Sequence, residues 1–321
     1  MTARAAATAT VRDYIELLRP RDWVKNVIVL AGPAAALKLS HLRSCVSAGW
    51  AFAAFCLAAS AIYAFNDVLD RHVDALHPTK SHRPIARGAI TPAAGMILSV
   101  GLALAALTVA LLTLNRAVTI VVALYLALTV AYTLALKQRV ILDVILIAVG
   151  FVLRAWAGSL AVGVPASEWL VACVFTLCLF MGFGKRRCEV AMLGNSDDAG
   201  AHRSTLVRYT PQLLTHLITV SAGIAIITFL LYTLDTSGHP TPFLKQHLFY
   251  TLPIVVYGVF RFAMLTELGR YSGPTDIVLR DRAMLTAIVL WLGAALLIAY
   301  QVPLLGEGGL EQWIGSASRV P

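Results

Sequence analysis

Nine apolar stretches, each close to the length needed to cross a bilayer, occupy most of this 321-residue chain and leave only short polar connections between them. A hydrocarbon core about 30 Å thick calls for roughly 17 to 25 apolar residues of helix, because backbone groups in lipid must be satisfied within their own segment. The stretches fall at about 24–40, 46–65, 90–113, 117–136, 141–163, 168–184, 213–234, 247–267 and 283–303. The first is the weakest, since Pro33 interrupts it and Lys38, His41 and Arg43 follow it closely. With 59% hydrophobic residues, 13% charged and a mean hydropathy of +0.76, the chain is no soluble domain. The expectation is an all-α polytopic membrane protein of nine transmembrane helices.

A net charge of +9 would suggest nucleic acid in a soluble protein. In a membrane protein its distribution over the loops matters more, and no nucleic-acid partner is expected. If the N-terminus is cytoplasmic, every Lys and Arg lies on that side except Lys38, Arg43, Arg116, Lys245, Arg319 and the in-span Arg154. That asymmetry predicts a multi-pass inner (plasma) membrane protein, with the C-terminus on the opposite side. Residues 1–10 contain no signal-peptide core, and 1–16 read as a disordered start. Residues 17–303 read as one transmembrane domain and 304–321 as a tail without a motif. The five cysteines show no CxxC pairing and the eight histidines are scattered, so neither disulfides nor a zinc site is expected.

Chemistry concentrates after the second stretch, in NDVLDRHVDALHPTKSHRPIARG, residues 66–88. Asp67, Asp70 and Asp74 are spaced three and four apart, so a continuing helix carries them on one face. Three carboxylates there repel unless a cation lies between them. Mg²⁺ suits that role, since it takes a few carboxylate oxygens together with substrate phosphates. Lys80, Arg83 and Arg87, beyond Pro78, are placed to meet the phosphates.

The run NDxxD, with a further Asp four residues on, resembles the first aspartate-rich motif of the UbiA superfamily of membrane prenyltransferases. The longer pattern NDxxDxxxDxxHPxKxxRPIAxG is similar to its polyprenyl-phosphate phosphoribosyltransferase branch. RPRDWVKN at 19–26, GFGKRRCEV at 182–190 and GPTDIVLRDR at 273–282 carry the same resemblance, which covers about residues 17–300. It implies a UbiA-like bundle with a cytoplasm-facing cavity. It also implies phosphoribosyl pyrophosphate and a polyprenyl phosphate, such as decaprenyl phosphate, as substrates.

On that resemblance Asp67 and Asp70 hold Mg²⁺ on the pyrophosphate, and Asn66 and Asp74 position it. Lys80, Arg83, Lys185 and Arg186 stabilise the departing pyrophosphate, while Lys25, Arg154 or the Arg280 region orients the lipid phosphate. Arg154 lies well inside the fifth stretch, where a cation either faces a cavity or pairs with a neighbouring helix. Asp276 and Arg280, four apart, also fit a simple helix-stabilising pair. The sequence departs from the pattern at Arg71 and His72, where some relatives have another acid. A true aromatic prenyltransferase would be expected to carry a second aspartate-rich motif near 182–190, where this chain has Lys185, Arg186, Arg187 and Glu189. A transporter or silent lipid-binding protein would need no metal-phosphate constellation.

Overall fold

The computed structural model describes residues 9–77, 80–193, 209–235 and 245–299. Among them the chain is helical, with no strand. In order come α1 (Val11–Leu18), a 3₁₀ helix (Pro20–Leu30), α2 (Ala31–Ala35), α3 (Leu42–Leu69) and α4 (Arg71–Leu76). There follow α5 (Pro92–Thr113), α6 (Arg116–Leu134), α7 (Leu142–Ala161), α8 (Glu168–Leu193), α9 (Pro211–Leu234), α10 (Leu252–Glu267), α11 (Pro274–Arg280) and α12 (Arg282–Ala299).

Local chemistry sets several of the starts. The side-chain oxygens of Thr91, Asn115 and Thr210 accept from the backbone N–H of Ala94, Val118 and Leu213, satisfying first-turn donors of α5, α6 and α9. Pro92 and Pro211 stand at the first helical position, where a missing N–H costs nothing.

Eight helices among the described residues are long and apolar enough to cross a membrane. The expected first crossing, 24–40, is built differently: the 3₁₀ helix is followed by the short α2 and a 3₁₀ turn, Lys38–Ser40. Pro33 has no N–H to give the carbonyl four residues earlier, so a continuous α-helix is interrupted there. This segment runs antiparallel to α3. Ser60 Oγ donates to the Leu18 carbonyl (2.8 Å), Asn26 Nδ2 to Cys56 Sγ (3.3 Å) and Cys45 Sγ to the Leu39 carbonyl (2.8 Å). Against α7 it lies so close that a Cβ on Gly158 would overlap the Val29 carbonyl oxygen, and one on Gly32 would overlap Ser159 Oγ. Packing thus sustains a 3₁₀ run far longer than the usual three or four residues.

A second difference concerns the N-terminus. Residues 11–16, expected to be disordered, belong to α1. Thr10 donates through N and Oγ1 to Asp13 Oδ2, 2.7 Å each, and these bonds hold the Asp13 carboxyl below its ordinary range. Arg87 pairs with Asp13, and Leu17 packs with Ala64, Val68, Ile85 and Ile90. The tail 304–321 lies outside the described residues.

α3, α5, α6 and α7 share one apolar core with Val29, while α7 to α11 share another. α7 therefore stands at the centre, in contact with both α6 and α8.

Candidate active site

Charged side chains from both halves gather at one end of the bundle. The last turn of α3 brings Asn66 and Asp67, the α3–α4 junction brings Asp70, and α4 brings Asp74. Asp67 and Asp74 are buried, which is costly for a carboxylate without a counter-charge. One guanidinium supplies it to both: Arg83 Nη1 lies 3.0 Å from Asp67 Oδ1 and 2.6 Å from Asp74 Oδ2. Arg19 Nη2 approaches Asp67 Oδ1 at 2.5 Å, with its guanidinium over the Tyr63 ring. Asp70 turns to Lys137 in the α6–α7 connection, 2.8 Å away, and Asn66 Oδ1 accepts from Thr133 Oγ1 of α6 at 2.7 Å.

The expected convergence of Asp67, Asp70 and Asp74 on one metal is not what the described residues form; no three Asp, Glu, His or Cys groups gather at one point. Asp70 sits where the helix axis breaks, and Lys137 draws it aside. The chemistry of the site still suits Mg²⁺. A cationic nitrogen already lies between two buried hard-oxygen carboxylates, Asp67 and Asp74, with Asp70 and Asn66 flanking them.

A second cluster stands at the same end. Asp143, in the first turn of α7, accepts from Arg186 Nε of α8 (2.9 Å) and from the Tyr209 hydroxyl (2.7 Å). Arg186 Nη1 also donates to Glu189 Oε2 at 2.5 Å, and Lys185 Nζ lies 3.7 Å from Glu189 Oε1. Arg187 reaches Glu267 at the end of α10, 3.0 Å away. Burial, with donation to Asp143, raises the Tyr209 phenol above its ordinary range, so it stays a neutral donor.

Several cations expected to bind phosphate are held by the protein's own acceptors. Arg186, nearly fully buried, is committed to Asp143 and Glu189. Arg154 donates to Asn26 Oδ1 (2.8 Å), the Gly150 carbonyl (3.0 Å) and the Tyr125 hydroxyl (2.8 Å), so it joins segments inside the bundle. A guanidinium in an apolar interior takes the nearest oxygens, and these are local. Asn26 is correspondingly buried away from the charged end.

Lys25 is exposed beside Asp22 (2.6 Å), Arg280 is exposed beside Asp276 (2.8 Å), and Lys80 lies exposed on the loop before Arg83. Lys185 is half exposed at the edge of the second cluster, and the Gly273 loop approaches it. The sequence reading missed Arg19 and Lys137 as carboxylate partners, Thr133 and Tyr125 as bonding groups, and the depth at which Tyr209 is anchored. A helix-ending left-handed turn at Arg19, φ +52°, aims that side chain back at α3, and no local pattern announces it.

A bundle of this form, closed at one end by a carboxylate motif and a cationic helix end, defines a class. The chain belongs to the UbiA prenyltransferase family, which it matches over residues 27–280, and is a multi-pass membrane enzyme of transferase type. It is similar to the decaprenyl-phosphate phosphoribosyltransferase of Corynebacterium glutamicum, 33% identical over 296 residues, covering 90% of this chain and 87% of that one. The decaprenyl-phosphate phosphoribosyltransferase of Mycolicibacterium smegmatis is also 33% identical, over 294 residues and with 88% and 91% coverage. In fold the chain is similar to a UbiA homolog from Archaeoglobus fulgidus bound to DMAPP and Mg²⁺, with TM-score 0.65, 17% identity and coverage of 90% and 99%.

Proposed function

We propose that this enzyme transfers the 5-phosphoribosyl group of phosphoribosyl pyrophosphate to a polyprenyl phosphate of decaprenyl phosphate type. The supporting observation is the chemistry of the shared end: a carboxylate cluster on α3 and α4 lies at the same end of the bundle as the end of α8, which carries Lys185 where a second aspartate-rich motif would otherwise stand. The likeness to phosphoribosyltransferases across most of the chain agrees with it. The end carrying these clusters faces the cytoplasm in this reading, as do the N-terminus and the phosphorylated donor, in an inner-membrane protein.

Asp67 and Asp74, flanked by Asp70 and Asn66, would hold Mg²⁺; when bound it supplies positive charge to the pyrophosphate oxygens and makes them a better leaving group. Arg83 and Lys80, on the adjoining loop, and Lys185, at the end of α8, would receive the charge that grows on pyrophosphate as the anomeric C–O bond breaks. Interactions that strengthen as that charge develops lower the barrier rather than merely tightening binding. An oxygen of the lipid phosphate forms the new bond to the anomeric carbon. That oxygen is ionised at neutral pH, so no general base is needed, and pyrophosphate leaves. Arg186 and Arg154 act from behind, fixing the helices that carry the contacting groups.

Membranes containing the enzyme are assayed with radiolabelled phosphoribosyl pyrophosphate, polyprenyl phosphate and Mg²⁺, beside Asp67→Asn. Label should enter lipid with the wild type, and the variant should lose at least about a hundredfold. A parallel reaction offers labelled prenyl diphosphate with 4-hydroxybenzoate. Product there, with none from phosphoribosyl pyrophosphate across several lipid lengths, would overturn the reading in favour of aromatic prenylation.

A further inference from the structure

The connection between α6 and α7 holds a strained residue at the meeting point of the two charged clusters. Ile141 has φ +69° and ψ −48°, and the Leu142 N–H closes a three-residue turn on the Val140 carbonyl, 2.8 Å away. Positive φ is unfavourable for a β-branched residue, and a γ-turn of this hand is rare. Such backbone persists only where its surroundings impose it. The Tyr209 hydroxyl is bonded to this turn: it accepts the Ile141 N–H at 2.6 Å while donating to Asp143 Oδ1 at 2.7 Å. Tyr209 and Asp143 are both buried, so the bond between them is shielded from water, while Ile141 itself lies at the surface.

What lies on either side of the turn gives the arrangement its meaning. Four residues earlier, Lys137 pairs with Asp70 of the carboxylate motif. Two residues later, Asp143 holds Arg186, which holds Glu189, which faces Lys185. We propose that Tyr209 is a positioning residue for the transfer reaction: its hydroxyl keeps the Ile141 turn in the strained form and so sets Lys137 against Asp70 and Asp143 against Arg186 in one register. The two clusters come from different halves of the bundle, and this turn is where their placements are tied together. The inference rests on the phosphoribosyl reading for its kinetic consequence and on geometry alone for the turn.

The test compares wild type, Tyr209→Phe, Ile141→Gly and the double variant in the full-length enzyme. Phenylalanine keeps the buried ring and removes only the hydroxyl; glycine accepts positive φ without strain. Tyr209→Phe should raise KM for phosphoribosyl pyrophosphate about tenfold, the effect of one hydrogen bond of ordinary net worth, with kcat nearly unchanged. The double variant should return KM to within about threefold of wild type, because glycine no longer needs the turn to be held. A purely structural tyrosine would lower the amount of active enzyme, reducing apparent kcat and leaving KM alone.

Amide hydrogen exchange across residues 139–143, measured without substrate, should quicken in Tyr209→Phe and slow again in the double variant. Unchanged KM in Tyr209→Phe, whatever the exchange shows, or a double variant no better than Tyr209→Phe, overturns the proposal. If wild type transfers no phosphoribosyl group, that reading falls on its own and the exchange result decides the turn. If Tyr209→Phe does not fold, recovery of folded protein in the double variant supports the proposal, and equal misfolding overturns it.

Discussion

Arg154 Nε donates to Asn26 Oδ1 across 2.8 Å, joining segments 128 positions apart, and among the described residues no carboxylate pairs with that guanidinium. Its other acceptors are neutral as well: the Tyr125 hydroxyl and the Gly150 carbonyl, with the Tyr125 and Phe151 rings 4.6 and 5.0 Å from the guanidinium carbon. Delocalised charge and a weak hydration shell let Arg accept such surroundings better than Lys would. Arg154→Met should therefore destabilise the protein by about 1–3 kcal/mol, because Asn26 and Tyr125 lose a buried partner. Adding Asn26→Leu should cost less than the two single changes predict together, with a coupling of at least about 0.5 kcal/mol. Thermal unfolding in detergent reads all four proteins. Strict additivity would mean that the Arg154–Asn26 bond carries no stability, and recovery by Arg154→Lys would mean that charge alone matters.

The helices were legible because a membrane span is specified by local composition and length, and eight of the nine expected stretches contain one. The segment 24–40 was not, because its conformation depends on Gly158 and Ser159, far away on α7, which let its backbone approach too closely for an ordinary helix pair. The eight residues of α1 are too few to be stable alone, and what holds them is Arg87 and the pocket around Leu17. The carboxylate motif was visible as a group of charges at the end of an apolar run. Its partners were not, since Arg19 is 48 positions and Lys137 is 67 positions from the residues they meet. Arg154 and Arg186 show the limit in the other direction: a place inside a span singles out the first and a basic cluster at a span's end the second, but only tertiary contacts reveal which acceptors hold them.

Asp281 gives a pH signature outside the spans. It accepts two bonds from Arg261, 3.2 and 2.8 Å, and caps α12 by accepting the Met284 N–H at 2.8 Å. Arg261 foremost, and the Met284 bond after it, hold the carboxyl below its ordinary range. A depressed folded-state pKa stabilises the protein above the unfolded-state value, about 3.9, and that contribution fades as pH falls through the folded-state value. Asp281→Asn keeps a capping oxygen and loses the charge, so it should be less stable than wild type from pH 8 down to about 5 by a constant margin. Below about pH 4 the two unfolding midpoints should converge. A gap that stays constant into the acid range would assign the effect to shape rather than charge.

Arg83 is predicted to have opposite effects on the metal and on the donor. Its Nη1 lies between Asp67 and Asp74, so any divalent ion entering there must displace a charge that is already bonded to both. Arg19 remains on Asp67 in either case. Two unit charges 4 Å apart interact by roughly 4 kcal/mol at an effective dielectric of 20, and the partial exposure of Arg83 reduces that further. Arg83→Gln should therefore bind Mn²⁺, followed by its paramagnetic resonance without pyrophosphate, about tenfold more tightly than wild type, a change of ~1.4 kcal/mol. The same variant loses a cation that would otherwise turn from the carboxylates to the phosphates, so KM for phosphoribosyl pyrophosphate should rise about tenfold or more. Only a residue that competes with the metal when the donor is absent and contacts the donor when it is present moves the two quantities in these directions. Equal Mn²⁺ binding by both proteins would mean that the metal enters elsewhere among the carboxylates, with Asp70 and Asn66 the next oxygens to test.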